Sequence, residues 1–291
     1  MIVKAIRPNA EPAARGSASA MAILRDPRVQ YFDQAGNMQY RLPAPGTGIP
    51  ITVVVTVDEM FHVEDMLRCL TRQRYDSWEI LIVCTDPVIK PELLQLVTGY
   101  RPYLPLLRVF VTAKQGSLAD ALNAANQNVT TEYWCRLDAA DFMHTAALRV
   151  VAAAIQEQAA DCYYTCRYNM YENAIVRPKV MLALGTHSKI WSGEIFPFSP
   201  LLTYKNSTII QLGGFKTFDN YPEDATWIMA YKMLASGLVF YRVGAAIYFK
   251  RDRLVTAKTR EKVSPVEYRA ALLALHWPEH ALEISDEKTA D

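Results

Sequence analysis

The sequence predicts an α/β protein with a mostly parallel sheet flanked by helices, and three observations carry that prediction. Short β-branched runs such as ITVVVT, from Ile51, are typical of strands that are buried on both faces. Segments in which apolar residues recur at helical spacing follow these runs. Strands and helices alternate at the pace of right-handed crossover connections, which place helices on both faces of a parallel sheet.

The elements of the first half can be assigned in order. In the helix that begins at Ser117, after Gly116, the hydroxyl of the serine can cap the free N–H groups of the first turn. The predicted order is strand ITVVVT, helix EDMLRCLTRQ, strand EILIVC, helix PELLQLVTGY, strand LLRVFVT, helix SLADALNAANQNV and strand YWCRLD.

The second half is less regular. A Gly-Gly turn at 213–214 separates a strand or loop from a helix that we expect to begin near Glu223. The predicted order is helix AALRVVAAAIQEQ, strand CYYTCRYNMY, an irregular region through Trp191, then the strand or loop, turn and helix just described, and a last strand VGAAIYFK. In sheets of this kind, ligands bind beyond the carboxyl ends of the strands.

The two ends of the chain differ in pattern from its centre. Residues 1–48 are rich in Ala, Pro, Gly and Arg, and we interpret them as an N-terminal extension. Residues 261–291 are predicted to form a C-terminal helical tail with a charged end. The main domain is therefore expected over residues 49–260.

The composition argues against several classes. With 31 basic and 30 acidic side chains, the chain lacks the strongly basic surface of a nucleic-acid clamp, so nucleic acid is not supported as a partner, though it is not excluded. Five scattered cysteines favour buried thiols in a reducing compartment, and a zinc site at Cys162 and Cys166 would need a second pair. The sequence shows no signal peptide and no apolar run of about 18 residues. We expect a cytoplasmic protein without a transmembrane segment, and peripheral membrane contact stays open.

Acidic residues follow three of the predicted strands or turns. Asp138 and Asp141, at the end of the fourth strand, could hold a divalent cation, or they could cap a turn. Asp58 and Asp86, after the first two strands, could contact a base or ribose, or they could form turns. Near Gly213 and Gly214, the pair at 223–224 could accept a proton from a hydroxyl, or it could stabilise a helix start.

In order and spacing, three segments resemble the family 2 glycosyltransferases of the GT-A fold, over residues 51–253. The opening, from ITVVVTVDEMF to EILIVCTD, is similar to the family's strand, helix and second strand. KQGSLADALNAANQNVTTEYWCRLDAADFMH is similar to its "N-x-G-x-x-x-A-x-N" helix and "L-D-A-D-D" strand end. LGGFKTFDNYPEDATWIMAYKMLASG resembles its "G-G-F … E-D … G" acceptor segment.

The resemblance implies an enzyme that transfers a sugar from a nucleoside-diphosphate donor to a glycan, lipid-linked or other hydroxyl acceptor, with inversion. A nucleotide-binding half, 49–142, would precede an acceptor-binding half, 143–260. Each predicted site residue takes its role from this family: Asp224 as general base; Thr56, Asp58, Asp86, Lys114 and Asp138 at the donor; Asp138 and Asp141 on Mg or Mn; and Glu223, Trp191 and Gly214 at the acceptor.

The chain departs from the family pattern at two places. Ala140 stands where the family usually has a carboxylate, so either Asp138 or Asp141 substitutes, or metal binding is weak or absent. Cys84 and Thr85 stand where paired aspartates are usual, which displaces Asp86 by two positions. A catalytically silent binding protein and a nucleotidyltransferase are therefore the alternative functions.

Other residues have two interpretations each. His144 could be a ligand, or it could face the solvent or cap a helix. Trp191, Trp227 and the tyrosines of 163–171 could stack on a sugar or base, or they could belong to the core. The basic residues from Lys250 to Arg260 could reach a diphosphate or a phosphorylated acceptor, and a solvated basic face is the favoured interpretation.

Overall fold

A computed structural model of the chain describes residues 48–104, 106–111, 116–171, 174–179, 201–216 and 225–251. The strands are β1 Ile51–Val57, β2 Trp78–Cys84, β3 Leu107–Val111, β4 Tyr133–Asp138, β5 Phe142–Met143, β6 Cys162–Tyr171, β7 Ala174–Lys179, β8 Leu202–Lys205 and β9 Phe240–Arg251. The helices are α1 Val63–Leu70, α2 Lys90–Tyr100, α3 Leu118–Asn128, α4 Ala147–Glu157, α5 Asn206–Gln211 and α6 Ala225–Ala235, with a short 3-10 helix at Arg101–Tyr103.

The described strands form one sheet in the order β3-β2-β1-β4-β8-β6-β9-β5, and β7 pairs with β6. The first four of these strands are parallel, with β1 between β2 and β4. The other half is mixed, because β8 is antiparallel to both β4 and β6, whereas β9 is parallel to β6. The predicted α/β class, a sheet flanked by helices, is confirmed.

Burial explains why the first strands are apolar. All seven residues of β1 and all seven of β2 are buried, since helices cover both faces of the parallel half. Helix α1 presents its apolar stripe, which includes Met66 and Leu67, to this core. The β-branched runs in the sequence thus mark the centre of the sheet.

The start of α3 is as the sequence predicts. The backbone N–H of Asp120 donates to the Ser117 hydroxyl over 3.2 Å, and the Ser117 N–H donates to the Asp120 carboxylate over 2.9 Å. This reciprocal capping box satisfies two N–H groups that a helix end would otherwise leave without a partner.

The second half holds elements that the sequence patterns do not reveal. The segment from Tyr204, predicted as a strand or loop, contains the end of β8 and then helix α5. The helix expected near Glu223 begins, in the described residues, at Ala225. Because 1–47 and 252–291 lie outside the described residues, the N-terminal extension, the helical tail and the domain boundaries remain predictions.

A buried carboxylate ties together the strands at the amino edge of the parallel half. Glu79 accepts hydrogen bonds from the hydroxyls of Thr52 and Thr130, at 2.6 and 3.0 Å, and from the Arg108 guanidinium at 2.6 Å. Because its charge is paired and hydrogen-bonded, Glu79 can be buried on β2 at an acceptable cost. This network stabilises the amino edge of the parallel strands, which is opposite to their carboxyl ends.

Several aromatic residues that could either stack on a ligand or belong to the core lie in the core. Tyr163, Tyr164 and Tyr168 are buried, and the side chain of Trp227 lies outside the described structure. The five cysteines are buried thiols. Among the described helices, none has the length and apolar character needed to cross a membrane.

His144 anchors the junction between β5 and α4. Its Nδ1 accepts from the Ala146 N–H, just before the helix, over 3.2 Å, and its carbonyl accepts from the Gln73 amide over 2.9 Å. Burial lowers the pKa of His144 to about 4, and the Arg74 charge adds to this effect. The folded protein therefore holds this imidazole in its neutral form.

We expect acidification from about pH 7 to about pH 5 to destabilise the wild type more than His144→Asn. Asparagine can still accept from the Ala146 N–H, but it does not titrate. Between the ordinary pKa of 6.5 and the folded value of about 4, only the unfolded chain binds the proton. The stability from neutral His144 is thus complete above that window and falls by about 1.4 kcal/mol per pH unit within it. Urea unfolding at several pH values measures this; equal pH slopes for both proteins would contradict it.

Candidate functional site

Three parallel strands bring the predicted donor residues to one edge of the sheet. Thr56 on β1 pairs with Asp138 on β4, and Val57 pairs with the last residue of β2. Asp58 follows β1 directly and is exposed, whereas Asp86 lies two residues beyond β2. Because parallel strands in register end together, the structure places these residues at the same carboxyl edge.

The loop after β2 is a turn built on Asp86. The Asp86 carboxylate accepts from the Val88 N–H over 2.8 Å, and its carbonyl accepts from the Cys84 thiol over 3.0 Å. The turn-forming interpretation of Asp86 is therefore visible in the structure, and its half-buried side chain stays at the edge of the sheet.

The Asp138 carboxylate is engaged on both oxygens. One Oδ accepts from the Arg136 guanidinium over 3.1 Å, and the other accepts from the Ala140 N–H over 3.1 Å. The Asp138 side chain is still 33% exposed, compared with 12% for Arg136. The predicted metal ligand thus forms an ion pair with a cation of its own strand.

Asp141 lies inside the protein and connects the strand end to β9. Its carboxylate accepts from the Tyr248 hydroxyl and, over 2.8 Å, from the Arg251 N–H. Burial and, to a smaller extent, the nearby Asp138 charge together raise the pKa of Asp141 to about 7. The interactions found for Asp141 are those of a group that holds two strands together.

A second network joins the end of β9 to the loop after β1. The buried Arg251 guanidinium contacts Nδ1 of His62, lies 3.5 Å from Asp65 and stands 4.6 Å from the centroid of the Phe142 ring. His62 itself has a positive φ of 118°. The sequence favoured a solvated basic face for Arg251, and this prediction was wrong. The side chain is buried and contacts the loop that follows β1.

The Gly-Gly turn is held against α3 by one side chain. The Asn123 amide donates to the Phe215 carbonyl over 2.9 Å, and its oxygen accepts from the Phe215 N–H over 2.7 Å. Phe215 in turn packs edge-on against Trp134, with ring centroids 5.8 Å apart. Gly214, a predicted acceptor residue, therefore lies beside the face of β4 that carries Trp134.

Four predicted site residues lie outside the described part of the chain. Asp224 and Glu223 come directly before α6 in the sequence, and nothing is described of their placement. Lys114 and Trp191 lie in other such segments. Their roles therefore stay predictions.

Two of the contacts at the site were not predicted from the sequence. Arg136 is a charged residue inside an otherwise apolar strand, and that pattern by itself signals a paired or functional charge. Asn123 lies 92 positions from Phe215, and no local pattern marks such a contact.

The carboxylates at the strand end do not fit a divalent metal ion well. Ala140 provides no ligand, Asp141 is buried against β9, and Asp138 shares its oxygens with a guanidinium and an N–H group. Mg²⁺ and Mn²⁺ need several free oxygen ligands. In the part of the chain that the structure describes, no three His, Cys, Asp or Glu side chains cluster closely enough to hold a metal ion.

The comparisons with known proteins point to one family. The sequence profile described as glycosyl transferase family 2 matches residues 52–222, more than half of the chain. No curated protein matches the chain by sequence.

Solved structures of similar fold carry nucleotide ligands. S. aureus TarS 1-349 in complex with UDP-GlcNAc has a TM-score of 0.61 at 18% identity, covering 78% of this chain and 66% of that one. Its complex with UDP has a TM-score of 0.58 at 19% identity, covering 78% and 65%. The mannosyltransferase PcManGT from Pyrobaculum calidifontis, in complex with GDP-Man and Mn2+, has a TM-score of 0.52 at 17% identity, covering 89% and 68%. The chain spans just under two thirds of TarS 1-349, and the likeness shows a shared fold.

We expect Gly214→Ala to destabilise the protein more than the matched substitution Gly213→Ala. Both residues have positive φ values, 78° and 76°, so each alanine costs about 1–2 kcal/mol. Only at Gly214 would the new Cβ lie 2.6 Å from the Asn123 Oδ1, whereas Gly213 has nothing within 4 Å. The clash adds about 1–3 kcal/mol. Urea unfolding of the two variants measures the difference, and equal losses would show that Asn123 does not hold this turn.

Proposed function

Because the chain belongs to glycosyl transferase family 2, we propose that it transfers a sugar from a nucleoside-diphosphate donor to a hydroxyl acceptor, with inversion at the anomeric carbon. The observation that carries the proposal is the edge where β1, β2 and β4 end in register, with Thr56, Asp58, Asp86 and Asp138 beside one another. The family was predicted from three motifs, and the profile match confirms that prediction.

In this proposal the nucleotide lies across the ends of β1 and β2. Thr56, Asp58 and Asp86 contact the base and ribose, and Lys114 lies close to the nucleotide. Support comes from the carboxyl edge of the sheet, where α/β proteins bind ligands, and from the UDP-GlcNAc and GDP-Man ligands of proteins with the same fold. The diphosphate then points toward the end of β4.

The acceptor lies on the other side of the diphosphate, next to the Gly-Gly turn. The contact of Phe215 with Trp134 brings this turn to the face of β4 on which Asp138 also lies. Gly214, Trp191 and Glu223 contact the acceptor in this proposal. The acceptor is a glycan, a lipid-linked molecule or another hydroxyl compound.

Asp224 acts as the general base. Its carboxylate takes the proton of the acceptor hydroxyl as that oxygen attacks the anomeric carbon, and the bond from this carbon to the diphosphate oxygen breaks. The nucleoside diphosphate leaves with the electron pair, and attack opposite the leaving group inverts the configuration. The protein's main contribution is to orient the two substrates and to offset the charge on the leaving group.

Mg or Mn on Asp138 and Asp141 was the prediction from the family pattern. These carboxylates accept hydrogen bonds from Arg136, Tyr248 and Arg251. The proposed mechanism therefore contains no step that uses a metal ion. We keep a cytoplasmic location as part of the proposal, because five buried thiols suit a reducing compartment.

We expect Asp224→Asn to reduce sugar transfer or donor hydrolysis by about 10²- to 10⁴-fold, while donor binding stays close to that of the wild type. The amide cannot accept the proton, but it has almost the same shape as the carboxylate. The assay uses a panel of UDP-, GDP-, dTDP- and CMP-sugars, with binding followed separately by calorimetry.

The matched control is Asp76→Asn, an exposed aspartate in the loop before β2, at the opposite edge of the sheet. It should leave turnover unchanged. Donor binding without turnover in the wild type, with or without candidate acceptors, would favour a silent binding protein. Release of sugar 1-phosphate in place of nucleoside diphosphate would indicate a nucleotidyltransferase.

A further inference from the structure

One face of β4 carries a cation at the end of the strand. Side chains alternate along a strand, so Trp134, Arg136 and Asp138 point to the same side of the sheet. Trp134 contacts Phe215 on this side, which is also the side of the acceptor turn. The Arg136 guanidinium therefore lies between the acceptor turn and the carboxyl edge.

The guanidinium of Arg136 is held in position, and one of its donors is unpaired within the described part of the chain. Its NH2 group donates to Asp138 over 3.1 Å, which fixes the direction of the side chain. Its buried Nε has no hydrogen-bond partner among the described residues. Guanidinium groups present up to five N–H donors in a plane, a geometry that suits phosphate oxygens.

The surroundings of Arg136 disfavour a second cation. The Asp138 carboxylate already accepts from the Arg136 guanidinium and the Ala140 N–H, and position 140 is an alanine. The other nearby carboxylate, Asp141, accepts from Tyr248 and from the Arg251 N–H, which turns it toward β9. A divalent ion bound to Asp138 would have to share this carboxylate with the guanidinium, and the two positive charges would repel each other.

We propose that Arg136 is the cation of the donor site, which contacts the donor diphosphate and offsets its growing charge as the sugar leaves, so that the nucleotide binds without a divalent metal ion. This inference rests on the proposed glycosyltransferase function and adds to it the residue that stabilises the leaving group. The guanidinium keeps all its protons throughout, and the released nucleoside diphosphate carries the electron pair of the broken bond. An arginine placed there in advance needs no reorganisation during the reaction.

The test is isothermal titration of the full chain with UDP, GDP, dTDP and CDP, in excess EDTA and then in excess Mn²⁺. We expect one of these nucleotides to bind about equally, within roughly threefold, under both conditions. Arg136→Gln should weaken its binding by about 10- to 100-fold, because a charge-assisted contact to phosphate is lost. Binding of the corresponding nucleoside, which has no diphosphate, should not change.

Two further variants separate a local contact from a loss of folding. Arg136→Lys keeps the charge and should recover part of the affinity for the diphosphate. Arg242→Gln removes a half-buried arginine near the start of β9, the strand that ends at Arg251. This variant should leave nucleotide binding unchanged. Melting temperatures of all variants check that each is folded, and the EDTA comparison on the wild type needs no variant.

The possible outcomes test different parts of the proposal. Binding that needs Mn²⁺ would overturn the role of Arg136 as the site's cation and leave the transferase function standing. Equal losses for nucleotide and nucleoside in Arg136→Gln would show that Arg136 does not contact the diphosphate. If no nucleoside diphosphate bound under either condition, the proposed function itself would be overturned.

Discussion

The structure depends on the parallel pairing of β1 with β2 on one side and β4 on the other. This pairing forces three strands to end together, so short side chains placed just beyond each strand must lie near one another. The pairing is stabilised by burial on both faces and, at the amino edge, by Glu79 with its three donors. One edge is thus fixed by a satisfied buried charge, and the other is the edge at which we propose the donor site.

The acidic residues at the end of β4 form contacts within the protein. A buried carboxylate is costly unless donors surround it, and Asp141 meets that condition through Tyr248 and the Arg251 N–H. The same arginine reaches the loop after β1, so β9, β4 and β1 are tied together close to the proposed donor site. The carboxylates near Ala140 thus form contacts within the protein, and in the proposed mechanism Arg136 provides the positive charge.

Local patterns were enough for the parts of the fold that depend on neighbours in sequence. The buried strands, the Ser117 cap and the Gly-Gly turn each follow from a few adjacent residues. Contacts between residues that are far apart in sequence could not be predicted. Arg251 contacts His62 across 189 positions, and a run of basic residues resembles an exposed surface until its partner is known. Helix α5 was missed because six residues are too few to show helical periodicity.

The central claim, that the carboxyl edge of β1, β2 and β4 binds the donor nucleotide, is tested most directly by hydrogen–deuterium exchange with and without saturating nucleoside diphosphate. The account predicts slower amide exchange in peptides that cover 56–60, 84–88 and 136–141. It predicts no change in peptides that cover 72–77 and 128–132, at the opposite edge of the sheet. Protection at that opposite edge, with none at the strand ends, would contradict the account.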